Sequence, residues 1–220
     1  MTITHHPSET TLAAFAAGHL DEARAVIVAS HVALCPHCRT TLRAFEHAGG
    51  VMLDGAVDSD TKQDVRNHTM RPDALNRALA RIDSSPAEPV VTRPTPPGGL
   101  PAPLALYAPG NWRSIGSGVQ LRSIAVPSQD NVKVFMLRAG PGTRLPHHKH
   151  TGTEWTCILE GAYRHDLGRY GAGDFDEADE TIDHKPVVEN DGPCVCLVAL
   201  EGGIRLQSLL GRLIQPFVRF

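Results

Sequence analysis

Apolar residues near the start of the chain recur at the spacing of a helix. Leu12, Phe15 and Ala16 fall on one face of a segment that follows Ser8. Ser8 is a favourable N-cap for this segment, and Gly18 is a favourable stop. The pattern therefore predicts a first helix that begins after Ser8 and ends at about Gly18.

Three more helical segments are predicted before residue 85. The second begins at Asp21 and is rich in Ala and Val. The third has Pro36 in its first turn, where proline is tolerated, and ends at Gly49-Gly50. A polar loop follows, and Pro72 then opens a charged helix with a single apolar stripe. The stripe consists of Leu75, Leu79 and Ile82.

The second half of the chain changes to short alternating runs, which are typical of an all-β sandwich or barrel. The runs are VQLRSIAV, NVKVFMLRA, EWTCILEGAYR and CVCLVALE. Between the halves, seven of the 17 prolines lie from Ser84 to Pro103, a composition that favours an extended linker. We expect a helical domain over 1–85, a Pro-rich linker over 86–103 and a β domain over 104–220.

Composition and charge exclude several classes of protein. The 220 residues carry 21 basic and 24 acidic side chains, and the net charge of −3 is spread over both halves. Nucleic-acid-binding proteins concentrate positive charge, and a membrane span needs about 18–20 apolar residues in a row. Because the sequence has neither feature, we expect a cytoplasmic protein that binds neither nucleic acid nor membrane directly.

A first group of metal-binding residue types lies where the second helix meets the third. His31 and Cys35 are four residues apart and share a helical face, and Cys38 is close enough for both thiolates to reach one ion. A tetrahedral structural zinc needs a fourth ligand, and His5 and His6 are the nearest supply. The alternative interpretation is a pair of buried core thiols beside a core histidine.

A second group lies in the β half. Residues 142–161 read G-x5-H-x-H-x3-E-x6-G, which resembles the first sequence motif of the cupins. His148 and His150 point to the same face of a strand, and Glu154 follows a turn that contains glycine. His184 is the candidate fourth ligand, in a degraded second cupin motif. Three histidines and one carboxylate bind zinc, iron, manganese or nickel, and the sequence does not choose among them.

Two further histidines and two cysteines near the second group are not expected to be metal ligands. We expect His147 to face away from the metal. His165 lies either beside the metal ligands or at the surface, and we favour the surface. Cys194 and Cys196 are two residues apart on an apolar run, so they are either core thiols, which is the more common case, or a redox pair.

Both halves together resemble the ChrR-type anti-sigma factors, in which a zinc-binding anti-sigma domain precedes a cupin. The resemblance covers nearly the whole chain and selects His6 rather than His5 as the fourth ligand of the first site. It implies an α+β multidomain fold, with a small zinc-stapled helical bundle followed by an all-β cupin barrel. It also implies Zn²⁺ in the first site and, in the second, zinc with iron or manganese as alternatives. The implied ligands are His6, His31, Cys35 and Cys38 in the first site and His148, His150, Glu154 and His184 in the second.

The resemblance also implies a function. The helical domain would sequester an extracytoplasmic-function sigma factor, and the cupin would permit its release under singlet oxygen or organic peroxide stress. On this interpretation the chain is not an enzyme, and an oxidant or other small molecule acts at the cupin. One alternative is a metal-dependent cupin enzyme, a dioxygenase or isomerase, with a helical appendage. Another is a zinc-dependent adaptor for a different helical protein.

Overall fold

The structure, a computed structural model, describes residues 2–55, 70–85, 100–128 and 132–207. The chain divides into two compact units. The larger unit combines residues 1–45 with residues 94–220, and the smaller unit comprises residues 46–93. Most of the predicted polar loop after the third helix, residues 56–69, and most of the predicted linker, residues 86–99, lie outside the described residues.

The described helices begin where capping residues allow. Ser8 and Asp21 accept hydrogen bonds from backbone N–H groups in the first turns of α1 and α2, as the sequence predicts. The predicted end of the third helix at Gly49-Gly50 is wrong, because α3 continues through both residues. Glycine weakens a helix by about 1 kcal/mol but keeps the N–H that the helix needs. The helices are α1 Glu9–Ala16, α2 Glu22–Leu34, α3 Pro36–Gly55 and α4 Ala74–Ser84.

The β part of the larger unit has twelve described strands, all paired antiparallel. The largest sheet has the order β1-β2-β3-β11-β5-β8, and two three-stranded sheets have the orders β10-β6-β7 and β12-β4-β9. The four predicted apolar runs each contain at least one strand, and the α+β fold class is confirmed. The strands are β1 Arg113–Gly116, β2 Val119–Ile124, β3 Lys133–Ala139, β4 His148–His150, β5 Glu154–Glu160, β6 Ala162–His165, β7 Gly168–Gly171, β8 Phe175–Ala178, β9 Asp183–His184, β10 Val187–Val188, β11 Cys194–Leu200 and β12 Ile204–Leu206.

The helix α2 shares its core with the large sheet. Ile27 and Val28 on α2 are fully buried and belong to the same apolar cluster as Trp155 and Leu197 of the sheet. At its polar edge, the Arg24 guanidinium lies 2.7 Å from a carboxylate oxygen of Glu201. Helix and sheet therefore bury apolar surface against each other, which stabilises both.

The other face of the sheet lines the interior of the β part. Its buried residues form a second apolar cluster, which includes Phe135, Ile158, Tyr163, Val198 and Leu200. Two cavity-lining thiols and several metal-ligating residue types lie on or beside this face. Across the described segments, no helix is both long enough and apolar enough to cross a membrane.

Candidate metal centres

The first candidate centre joins the start of the chain to α2 and α3. His31 is in the last turn of α2, Cys35 is its C-cap, and Cys38 is in the first turn of α3. Before α1, His6 completes the set, and one nitrogen or sulfur atom from each of the four lies within 4.8 Å of the others. The structure thus brings together all four residues predicted for this site.

The spacing of the donor atoms suits a tetrahedral ion. The His6 Nδ1 atom lies 3.5 Å from Cys35 Sγ and 3.4 Å from Cys38 Sγ, and His31 Nε2 lies 3.2 Å from Cys38 Sγ. A tetrahedron with zinc–nitrogen and zinc–sulfur bonds of about 2.0–2.3 Å has edges of about 3.3–3.8 Å. A donor set of two imidazoles and two thiolates of this size fits zinc.

Burial favours the neutral forms of His31 and Cys38 in the first centre when no cation is present. Burial lowers the pKa of His31 to about 4 and raises the pKa of the Cys38 thiol to about 12. His31 Nδ1 lies 2.8 Å from the Gly173 carbonyl oxygen, so an Nδ1–H donates there and leaves the Nε2 lone pair facing the thiols. A cation would hold both cysteines as thiolates.

The second candidate centre lies on the small sheet β12-β4-β9. His148 on β4 is paired directly opposite His184 on β9, and His150 is two residues along the same strand. The Nε2 atom of His184 lies 3.0 Å from His148 Nε2 and 3.1 Å from His150 Nε2. A carboxylate oxygen of Glu154 lies within 4.8 Å of the imidazole donors. All four predicted residues therefore converge.

The convergence of the second centre also fits a cation. A neutral imidazole nitrogen carries either a proton or a lone pair, so three crowded Nε2 atoms do not satisfy one another, whereas a cation accepts three lone pairs. His148 Nδ1 lies 2.7 Å from the Pro146 carbonyl oxygen, so donation from Nδ1–H leaves the His148 Nε2 lone pair free. Burial and the charge of Asp176 raise the pKa of Glu154 to about 8, and a nearby cation would keep Glu154 ionised.

A cavity of about 400 Å³ adjoins the second centre. Its lining is mostly apolar, but it includes the metal-ligand candidates His148, Glu154 and His184. The thiols of Cys194 and Cys196 also line it, with their Sγ atoms 3.6 Å apart. The two cysteines are buried, which agrees with a role as core thiols. They also border the cavity, which agrees with a role as a redox pair, so both predicted roles stay open.

Comparisons with known proteins place this chain in a known family. A family model described as the ChrR cupin-like domain matches residues 107–202. The anti-sigma-E factor ChrR of Cereibacter sphaeroides is 35% identical over 224 residues, which is 100% of this chain and 100% of that protein. The chain belongs to the ChrR family of anti-sigma factors. The resemblance inferred from the motifs is thereby confirmed.

A solved ChrR structure has the same fold. The crystal structure of Rhodobacter sphaeroides SigE in complex with the anti-sigma ChrR matches this chain with a TM-score of 0.70 and 31% identity. The match covers 91% of this chain and 100% of the solved chain. Both halves of the molecule, the helices and the cupin, therefore have counterparts in the ChrR family.

In this ChrR-family chain, a buried polar group lies beside the second centre, and His165 takes the less favoured of its two predicted positions. The predicted surface position of His165 is wrong, because its side chain is fully buried. His165 Nε2 lies 3.0 Å from a carboxylate oxygen of Asp176, and the Tyr163 hydroxyl donates to the same oxygen at 2.7 Å. The His165 ring is 5.0 Å from that of His184. The alternation of β6 was the available signal, because it places His165 on the same face as Tyr163.

The remaining histidine assignments agree with the structure. His147 is exposed, and its Nε2 atom lies 2.7 Å from Asp183 rather than near the second centre. His5 stacks on Tyr170 with ring centroids 4.2 Å apart, so its ring packs on the cupin part and is not a donor of the first centre.

Proposed function

We propose that this protein is a cytoplasmic anti-sigma factor that holds an extracytoplasmic-function sigma factor through a zinc-dependent helical domain. The observation that carries the proposal is the full-length match to ChrR, a protein solved in complex with SigE. The convergence of His6, His31, Cys35 and Cys38 supports zinc as the ion of the first centre. The proposed domain boundaries are those predicted from the sequence, at residues 85 and 103.

An exposed apolar stripe in the smaller unit supports binding to a partner protein. Leu75, Leu79 and Ile82 on α4 are 69%, 49% and 69% exposed. On the same unit, the last turns of α3 expose three large apolar side chains, Val51, Met52 and Leu53. Apolar side chains at helical spacing that water covers in the free chain are suited to a groove on another protein.

The cupin part is proposed to receive the release signal. Three of its four candidate metal ligands and the thiols of Cys194 and Cys196 border one cavity, so a small apolar molecule entering it would meet both. We propose zinc as the ion of this centre, with iron and manganese as alternatives, and an organic peroxide or singlet oxygen as the stress that acts there. Oxidation of Cys35 and Cys38 with loss of zinc is a second route to release.

Co-purification with a sigma factor tests the proposal. The full chain is co-expressed with sigma factors of the extracytoplasmic-function class from the same genome, beginning with any encoded next to it. We expect one of them to co-purify in a stable complex that contains two metal ions per anti-sigma chain. If no sigma factor is retained and the first centre contains no zinc, the proposal is wrong.

The stripe on α4 gives a sharper prediction. Replacing Leu75, Leu79 and Ile82 together with serine will weaken sigma binding by about 100-fold, because buried interface aliphatics contribute at least about 1 kcal/mol each. Since all three are exposed in the free chain, thermal stability will change little. Titration calorimetry measures the affinity, and Arg77→Gln on the opposite helix face is the control. An unchanged affinity in the triple variant would exclude the stripe from the interface.

One observation favours a metal-dependent enzyme as the second candidate function. The cavity beside the second centre leaves room for a substrate next to three of the four ligand candidates. The test is turnover by the full chain loaded with iron or manganese, assayed against small diketones and similar cupin substrates. Turnover that is lost in Glu154→Gln, without any sigma complex, would favour the enzyme.

A further inference from the structure

The first residues of the chain are anchored to the cupin part on the N-terminal side of His6. The backbone N–H groups of Thr4 and His5 donate to one carboxylate oxygen of Asp174, at 2.7 and 2.9 Å. The Phe175 N–H donates back to the His5 carbonyl oxygen at 3.1 Å. The segment before His6 is therefore held against the loop that enters β8 by one backbone hydrogen bond and by the Asp174 carboxylate.

A second anchor lies on the other side of His6. The Ser8 N–H donates to a carboxylate oxygen of Glu177 at 2.9 Å, and the Thr11 hydroxyl donates to the other oxygen at 2.6 Å. His6 is thus held between two acidic residues of the same short cupin segment. Residues 2–8 belong to no helix or strand, so these contacts hold the backbone on both sides of His6.

Asp174 is a buried carboxylate, and both of its oxygens accept hydrogen bonds. Its side chain is 5% exposed, and its second oxygen accepts the Gly171 N–H at 2.7 Å. Burial alone would raise the pKa of Asp174, but the N–H donors of Gly171, His5 and Thr4 outweigh it and lower the pKa. The carboxylate is therefore ionised and has backbone donors on both oxygens.

The same loop contacts the second histidine of the first centre. The Gly173 carbonyl oxygen, next to Asp174, accepts the hydrogen bond from His31 Nδ1 at 2.8 Å. The Phe175 ring packs edge-on against the His31 ring, with centroids 5.6 Å apart. Three consecutive cupin residues thus orient both imidazoles of a centre whose four donors all come from the helical part.

We propose that Asp174 is a positioning residue for the first centre: by holding the backbone of Thr4 and His5 it places His6, and so it makes zinc retention by the helices depend on the cupin part. Partners outside the ligand set commonly change metal affinity by about 10–100-fold. Any event in the cupin that shifts the loop before β8 would loosen His6. Because Asp176, two residues further on, contacts His165 beside His184, the second centre lies within reach of the same strand.

A double-mutant cycle on the full chain tests the proposal. The zinc affinity of the first centre is measured by competition with a chromogenic chelator. A thiol-directed mercurial, which releases only cysteine-bound zinc, identifies the zinc that comes from this centre. We expect Asp174→Ala to lower that affinity about 10–100-fold. In a His6→Ala background, the same substitution should change it by less than about twofold, because the residue through which Asp174 acts is gone.

A second variant leaves the cupin sequence intact. Thr4→Pro removes the N–H that donates to Asp174, and we expect it to lower zinc affinity in the same direction, whereas the control Thr4→Ala keeps that N–H. With cobalt in place of zinc, the visible spectrum of Asp174→Ala should show the loss of one nitrogen ligand, which a purely structural role would not produce. Equal losses of affinity in both backgrounds, or no loss in either variant, would overturn the proposal.

This inference rests on the proposed zinc in the first centre, and the two fail differently. If the wild-type chain retains no cysteine-bound zinc, the proposed cofactor is wrong. If the wild type retains zinc and the Asp174 and Thr4 variants retain it equally well, only the positioning role is wrong. Sigma binding does not enter the measurement.

Discussion

Cys38→Ser will abolish zinc retention in the helical part and weaken sigma binding by more than about 100-fold. The apparent binding free energy of structural zinc is about 10–16 kcal/mol in small zinc-dependent folds. Cys38 is fully buried and lies within 3.4 Å of donor atoms from both His6 and His31. A serine hydroxyl would not replace the thiolate, and the junction between α2 and α3 would lose the ion that ties it to the start of the chain.

Three measurements check this prediction. Metal analysis of the purified variant should show the loss of one zinc, circular dichroism should show less helix, and calorimetry should show weakened sigma binding. Cys157→Ala is the matched control, because Cys157 is equally buried but belongs to neither centre. A Cys38→Ser protein that still binds sigma with wild-type affinity would mean that zinc does not organise the sigma-binding surface.

The parts of this molecule that local sequence determines could be predicted. Helix starts at Ser8 and Asp21 depend on capping residues within one turn. The grouping of His31, Cys35 and Cys38 follows from helical spacing, and His148 and His150 follow from strand alternation. Each of these features depends on residues fewer than ten positions apart.

The features that depend on contacts between distant residues could not be predicted from the sequence. Nothing near His6 in sequence indicates that Asp174, 168 residues away, fixes its backbone neighbours. His165 looks exposed beside charged residues, and only the approach of Asp176 and His184 explains its burial. The continuation of α3 through Gly49 and Gly50 shows that glycine lowers helix propensity without ending a helix.

The shared core of α2 and the sheet changes how the two centres are understood. A helical unit of about 50 residues has a thin core of its own, and here α2 buries Ile27 and Val28 against cupin residues. A change in the cupin therefore reaches the helices through packed side chains and not through a flexible connection alone. This arrangement makes a cupin signal for release physically reasonable, since such coupling needs a continuous set of contacts with two arrangements.

Replacing Cys194 and Cys196 together with alanine will block release of sigma by an organic hydroperoxide if the thiols are the sensor. The peroxide takes two electrons from the pair: the two thiols become a disulfide, and the peroxide leaves as an alcohol and water. The Sγ atoms are 3.6 Å apart, and a disulfide requires about 2.0 Å, so the central strand β11 must adjust. Its pairing with β5 already shifts register between Val195 and Cys196, which is where the adjustment would occur.

The change in sigma affinity on release is large enough for variants to distinguish this route from the other two. Moving sigma from 99% bound to 99% free takes about 10⁴-fold in affinity, or about 5.5 kcal/mol, so the wild-type change will be large and its loss easy to measure. The assay follows the sigma–anti-sigma complex by fluorescence anisotropy before and after treatment with cumene hydroperoxide, with Cys157→Ala as the control. Normal release by the double variant excludes the cupin thiols. In that case, loss of release in His184→Ala would assign the signal to the second metal centre. Release that persists in both variants, together with loss of zinc, would assign it to Cys35 and Cys38.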